Sequence, residues 1–424
     1  MEDVRESVAD GSVAGAAPRG RAGKRWWFVP ALVLMVVLLL LLAAELASRA
    51  FWTPPEALNV FVTPSLCRAP EPGAWELLPD LDISYRRAEL AAATTDARDL
   101  EDDDTEIRVV TDSLGMRGAG PGERRPDELR LLMVGDSMMF GHGMAQDECF
   151  AELAGSALRR RLGRPVTVCN AGVPGYGMAA AMKRLRRLQP RLQADVVVAS
   201  MCLGNDFTDD IEQRRVEVLG GRAFTGAMAH GLADSVRARI AVRSRLWLWC
   251  EWQLVQHRPD WSLLTLLRMS PEHARASQGM PPPERTVAGL FLDAAEPDRP
   301  WPIDRLLTDL HATLRSMRDA ADGRPLLLVL LPTWMHVDPA CRRRQLESLG
   351  FAPQDYPDGA IQRRIRRLCA ELRIDVLDTT PTLAAQGDPQ GLFLFRGADF
   401  LHLSVRGNAI VGALLGDRLA ELAR

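Results

Sequence analysis

Ser137 stands in VGDSMMFGHG (residues 134–143), where Gly, Asp and Ser follow a short apolar run and precede a glycine-rich turn. A serine hydroxyl becomes a nucleophile for acyl transfer only with help. A base must take its proton, a carboxylate must hold that base, and hydrogen-bond donors must meet the developing oxyanion. Residue types for each task occur further along the chain. In the segment DFLH, Asp399 and His402 are three positions apart just before a helical pattern. One turn there can set the carboxylate against one imidazole nitrogen and leave the other for Ser137. The backbone N–H groups of Ser137 and Gly172 and the side-chain amide of Asn205 are candidate oxyanion donors. A donor of this kind typically contributes about 3 kcal/mol. Each residue also has a plainer use: Ser137 and Asp136 as a turn or helix cap, Gly172 as a bend, Asn205 as a turn former, and Asp399 as a cap beside a surface histidine. His142, in the loop after Ser137, and His336 are further candidates for substrate contact.

These positions acquire meaning from the elements that must hold them. From residue 129 onward apolar strand runs alternate with helical stripes. LRLLMV (129–134), VTVCN (166–170), DVVVASM (195–201), LLLVLL (326–331) and IDVL (374–377) read as five strands. Helical patterns fall at CFAELAGSALRRRLG, at MAAAMKRLRRL (178–188, ended by Pro190), near 304–321, at IQRRIRRLCAEL and at the C-terminus. Continuous apolar strands separated by helices imply a parallel sheet covered on both faces. In such a sheet ligands bind beyond the carboxyl ends of the strands. GDS follows the first strand, the Gly172 stretch the second, LGND with Asn205 the third, and PTWMH with His336 the fourth. The polar residues therefore gather on one edge. More than 120 residues separate the third and fourth strands, far more than a βα unit needs, so an insertion is expected at about 210–300. It holds Trp247, Trp249, Trp252 and Trp261, read either as a small core of the insert or as a cap with rings exposed beside Ser137.

The remaining sequence sets the setting. Hydrophobic residues make up 47% of the chain and charged residues 25%, the composition of a globular protein. The net charge of −3 speaks against a nucleic-acid partner. Residues 1–25 read as a cytoplasmic disordered tail and 26–48 as a transmembrane anchor. Residues 49–128 read as an irregular extracytoplasmic segment. The run WWFVPALVLMVVLLLLLAA matches the roughly 20 residues needed to span hydrocarbon. Arg19, Arg21, Lys24 and Arg25 precede it, which places the N-terminus in the cytoplasm and the body outside. A cleaved signal peptide is the competing reading, with SRA at 48–50 as the cleavage form. Seven scattered cysteines contain no CxxC pair, and no converging set of metal ligands is visible, so neither a metal nor a cofactor is expected.

The four blocks GDS (135–137), the Gly172 stretch, GND (204–206) and DFLHLSVRG (399–407) resemble those of the SGNH subset of the GDSL esterase/lipase family. The resemblance covers about residues 130–424, and the hydrolase domain it implies is placed at 129–424. It implies a flavodoxin-like three-layer α/β/α fold with a five-stranded parallel sheet, here carrying an N-terminal transmembrane helix and a helical insertion. It implies Ser137 as nucleophile, His402 and Asp399 as the rest of a triad, and Ser137, Gly172 and Asn205 as the oxyanion hole. GDSM stands here in place of GDSL. The expected activity is cleavage of an O-acyl ester on a cell-surface glycan or a lipid. A polysaccharide O-acetyltransferase using the same residues is the alternative, and a noncatalytic glycan-binding or assembly protein is a third reading.

Overall fold

The computed structural model describes residues 27–52, 66–71, 74–88, 90, 105–212, 216–225, 243–257, 303–348, 352–355, 358–394 and 401–423. The chain divides into two compact units, residues 1–52 and 53–424. The first contains the helix Phe28–Phe51 (α1), whose most apolar window has a mean hydropathy of 2.7 and which buries none of its residues within the unit. By length and composition this helix can cross a membrane.

The second unit begins with small antiparallel pairs. Cys67–Arg68 (β1) pairs with Glu76–Leu77 (β2), and Asp82–Arg86 (β3) pairs with Glu106–Val110 (β4). Along β4 exposure alternates, turning Ile107 and Val109 inward. These two join Trp75, Leu77, Tyr85 and Met116 in the same apolar cluster as Val134 and Cys169 of the main sheet. These residues thus pack on the main core rather than on one another alone.

Leu129–Val134 (β5) opens the main sheet and leads into the short helix Ser137–Phe140 (α2). Then follow Phe150–Leu162 (α3), Val166–Asn170 (β6), Met178–Leu192 (α4), Val196–Cys202 (β7) and Asp206–Glu212 (α5). The expected insertion contributes a hairpin, Val216–Leu219 (β8) with Arg222–Thr225 (β9), and the helix Arg245–His257 (α6). In α6, Leu248 is buried, Trp247 and Trp252 are half-buried, and Trp249 is exposed; Trp261 lies outside the described residues. The main fold resumes with Ile303–Ala320 (α7), Leu326–Leu331 (β10), Trp334–Val337 (α8), Pro339–Ser348 (α9), Ala360–Leu372 (α10), Asp375–Asp378 (β11), Thr380–Ala384 (α11) and Val405–Leu422 (α12).

The five long strands form one parallel sheet in the order β11-β10-β7-β5-β6. All six residues of β5 are buried, as are all six of β10, which explains the unbroken apolar run of β10 and that of β5 apart from Arg130, whose guanidinium pairs with Glu128. Alternate residues of β5 face opposite sides. Leu132 and Val134 share a core with Leu185 of α4, Leu310 of α7 and Ile365 of α10. Leu131 and Met133 share the other with Leu158 of α3 and Leu415 of α12. These two cores make the three-layer α/β/α architecture. The strand order reverses at β5, whose successor β6 lies on one side while β7 lies on the other. A crevice at the carboxyl end of β5 is the consequence.

One local expectation is corrected. The helix expected to stop at Pro190 continues to Leu192. Proline so close to the C-terminus forfeits only one intrahelical bond, and Gln193 ends the helix in a left-handed conformation, φ 48°. The cysteines are unbridged. Burial pushes the Cys169 thiol up to about 12 and raises that of Cys202 as well, so both remain protonated and serve as small apolar fillers.

Candidate active site

Ser137 lies at the first turn of α2, where β5 delivers the chain into the crevice. Asp136 caps this helix by accepting the Met138 N–H at 3.0 Å, so the capping role considered for it is realised. His402 precedes α12, on the segment that returns across the same sheet edge. Its Nε2 is 2.8 Å from Ser137 Oγ, a contact made across 265 positions of sequence. His142 is drawn to the same place. Its N–H bonds the Ser137 carbonyl at 2.9 Å, and its ring centroid lies 4.4 Å from that of His402. Asp399 lies outside the described residues.

The two loops flanking α2 approach it closely. A Cβ on Gly172 would come within 2.4 Å of the Phe140 backbone nitrogen, so only glycine fits there. The Gly172 N–H donates to Asn170 Oδ1 at 3.1 Å, while Asn170 Nδ2 donates to the Met139 carbonyl at 2.9 Å. Asn170 therefore ties this loop to α2. On the other side Asn205 Nδ2 donates to Asp209 Oδ2 at 2.7 Å. A primary amide has two such hydrogens, and this bond uses one.

His336 is placed elsewhere. It lines a cavity beside β10 and β11 whose wall includes neither Ser137 nor His402. Its Nδ1 accepts the Thr333 N–H at 3.1 Å. Burial, reinforced by the nearby Arg342 charge, lowers its pKa to about 3. Its imidazole is thus neutral at ordinary pH and only weakly basic.

Three buried groups were not marked by the sequence as part of the site. Asp136 and Asp206, in the GDS and GND triplets, are both buried, and Asp136 Oδ2 and Asp206 Oδ1 have no hydrogen-bond partner among the described residues. Burial raises Asp136 to about 6 against the pull of His402, and burial with the help of the Asp136 charge raises Asp206 well above its ordinary value. Their positions beside Ser137 and Asn205 were the available signal. The third is Arg117, from the stretch that reads as irregular. It donates to the carbonyls of Phe140 and Gly141, each at 2.7 Å, and of Met144 at 2.5 Å. Its guanidinium also lies 4.8 Å from the Phe140 ring centroid. No local pattern marks a residue that binds 23 or more positions away.

Two expected outcomes follow from these groups. An acid whose pKa is higher folded than unfolded binds a proton on folding, so it costs stability as pH rises through that interval. For Asp136 the interval runs from its ordinary 3.8 to about 6. Asp136→Asn retains an acceptor for Met138 and cannot ionise. It should melt close to wild type at pH 4 and a few degrees higher at pH 7.5, measured by calorimetry. The same Tm difference at both values would remove the buried charge as its cause. Arg117→Met should cost about 3 kcal/mol or more in urea unfolding, because three carbonyls lose a buried donor at once. A loss below 1 kcal/mol would mean that water or other groups replace the guanidinium.

The profile of the GDSL-like lipase/acylhydrolase family matches residues 133–410. No curated protein matches the chain. Among solved structures, a lipase/acylhydrolase from Enterococcus faecalis is 14% identical, with a TM-score of 0.36, and the match covers 69% of this chain and 96% of that one. The lipase Lip_vut3 from a goat rumen metagenome is 14% identical, with a TM-score of 0.34 and coverage of 69% and 97%. A two-domain esterase active on acetylated mannans is 11% identical, with a TM-score of 0.35 and coverage of 70% and 50%.

Proposed function

This chain belongs to the GDSL-like lipase/acylhydrolase family and is a serine ester hydrolase; from that premise we propose that it is held at a membrane by α1 and removes O-acyl groups from a glycan on the outer side. Ser137 is the nucleophile, His402 the base and Asp399 the carboxylate that orients it. Ser137 Oγ attacks the ester carbonyl while His402 Nε2 takes its proton. The Ser137 and Gly172 N–H groups and the second amide hydrogen of Asn205 receive the oxyanion. The bond to the alcohol then breaks, and that oxygen leaves with the proton held by His402. Water, deprotonated by His402, releases the acid and restores Ser137. To serve the oxyanion, the Gly172 N–H must share or give up its bond to Asn170.

The 2.8 Å approach of His402 Nε2 to Ser137 Oγ is the observation that carries this reading. The membrane setting is supported by the length and hydropathy of α1 and by the four basic residues before it, with an extracytoplasmic glycan as the ester carrier that such a location offers. The test has two parts. The full-length protein should be labelled by a fluorophosphonate and should release acetate from an O-acetylated polysaccharide faster than it releases fatty acid from a glyceride. Faster cleavage of the glyceride would overturn the glycan assignment. Protease added to spheroplasts should digest residues 53–424, and their full protection would reverse the topology.

A further inference from the structure

The cavity beside β10 and β11 has a volume of about 430 Å³ and a construction of its own. One wall is the first turn of α10. Gly359 precedes it with φ 70°, and no side chain caps the helix. The N–H groups of Ala360, Ile361 and Gln362 belong to the set that a helix start leaves without intrahelical acceptors. All three residues line the cavity. Gln362 is only 3% exposed, and its Oε1 has no hydrogen-bond partner among the described residues. Thr380 Oγ1, from the start of α11 and also in the lining, is likewise buried without one.

Charge on the walls is unbalanced. Arg342 pairs with Asp358, and Arg366 pairs with Asp378. Arg363 instead donates to the Asp358 backbone carbonyl at 2.6 Å, which leaves three guanidinium groups facing two carboxylates. The α10 N-terminus adds about half a positive charge. Ile361, Val337 and Pro381 provide apolar surface between these polar groups.

We infer that this cavity binds a carboxylate-bearing sugar residue: its anion meets the α10 N-terminus and the Arg363 side, and its hydroxyls serve Gln362 and Thr380. The inference rests on the glycan esterase reading above and assigns the substrate class within it. The placement suits a neighbouring unit of the same substrate chain. Met335–Val337 and Thr380–Pro381, which follow β10 and β11 at the carboxyl edge that also carries Ser137, line the cavity. β10 and β11 lie two and three strand spacings from β5, a lateral offset of roughly 10–14 Å between the strands that carry the two sites. The turn after β10 adjoins the Asn205 loop. A Cβ on Gly204 would fall 2.5 Å from Thr333 Cγ2, and Thr333 in turn holds His336 in the cavity wall.

Isothermal titration of full-length Ser137→Ala protein with D-glucuronate, D-glucose and inorganic phosphate tests binding without catalysis. Glucuronate should bind at least tenfold more tightly than either of the others. Arg363→Gln and Gln362→Glu should each weaken it about tenfold, the first by removing the unpaired cation and the second by adding a like charge. In the active protein the same two substitutions should raise KM for an O-acetylated polyuronate about tenfold and leave kcat/KM for p-nitrophenyl acetate unchanged. The small ester reaches Ser137 but not the cavity. Glucuronate binding no better than glucose, phosphate binding as tightly as glucuronate, or variants that leave both binding and KM unchanged would each overturn the inference. Absence of fluorophosphonate labelling would count against the hydrolase reading, while the titration would still decide the cavity's ligand.

Discussion

Ser137→Ala is expected to abolish ester hydrolysis and fluorophosphonate labelling while leaving the thermal transition near that of wild type. The substitution removes one oxygen from a residue that is already helical, and Asp136 still caps α2 through the Met138 N–H. His402→Ala should be nearly as damaging. The imidazole is the only group placed 2.8 Å from Ser137 Oγ among the described hydrogen bonds, and members of such a unit fail together rather than additively. Losses of about 10⁴-fold or more in kcat are the scale for such a unit. His142 is the internal control. Its ring lies 4.4 Å from that of His402, and if it served as the base in place of His402, His142→Ala would be the more damaging of the two variants. Purified Ser137→Ala with wild-type turnover would refute the nucleophile assignment outright.

Asn205→Ala is expected to lower kcat by about 10²–10³-fold with a much smaller change in KM. The amide is assigned to charge that appears only on the way to the tetrahedral intermediate, and such interactions act on kcat. The bond from Asn205 Nδ2 to Asp209 at 2.7 Å anchors the side chain in advance. Preorganisation of this kind lets a single donor contribute several kcal/mol to the transition state. Asp209→Asn is a useful companion. It keeps an oxygen acceptor but removes its charge, and should cost far less than loss of the amide. Unchanged kcat with a raised KM for Asn205→Ala would make this residue a substrate-positioning group.

The sequence by itself determined the main strands, the carboxyl-edge positions of Ser137, Gly172 and Asn205, and the apolar span of α1. It could do so because these depend on short-range periodicity. β5, β6 and β10 occupy the short, largely apolar runs read as strands, and α3 ends at Gly163, the last residue of the helical pattern there, with φ 62°. The tertiary structure alone decided what those positions share. The placement of β6 and β7 on opposite sides of β5 makes the crevice, and strand order is not written in the local pattern of any one strand. It separated two histidines of equal standing in the sequence, setting His142 against His402 and His336 into a different cavity. It made Asp136, read as a turn or cap residue, and Asp206, given no role, into buried acids and drew Arg117 out of a stretch read as irregular into the loop that follows Ser137. The reason is the same in each case. Periodicity is a property of neighbours along the chain, whereas desolvation and proximity are imposed by segments that meet only when the sheet and its two cores have assembled.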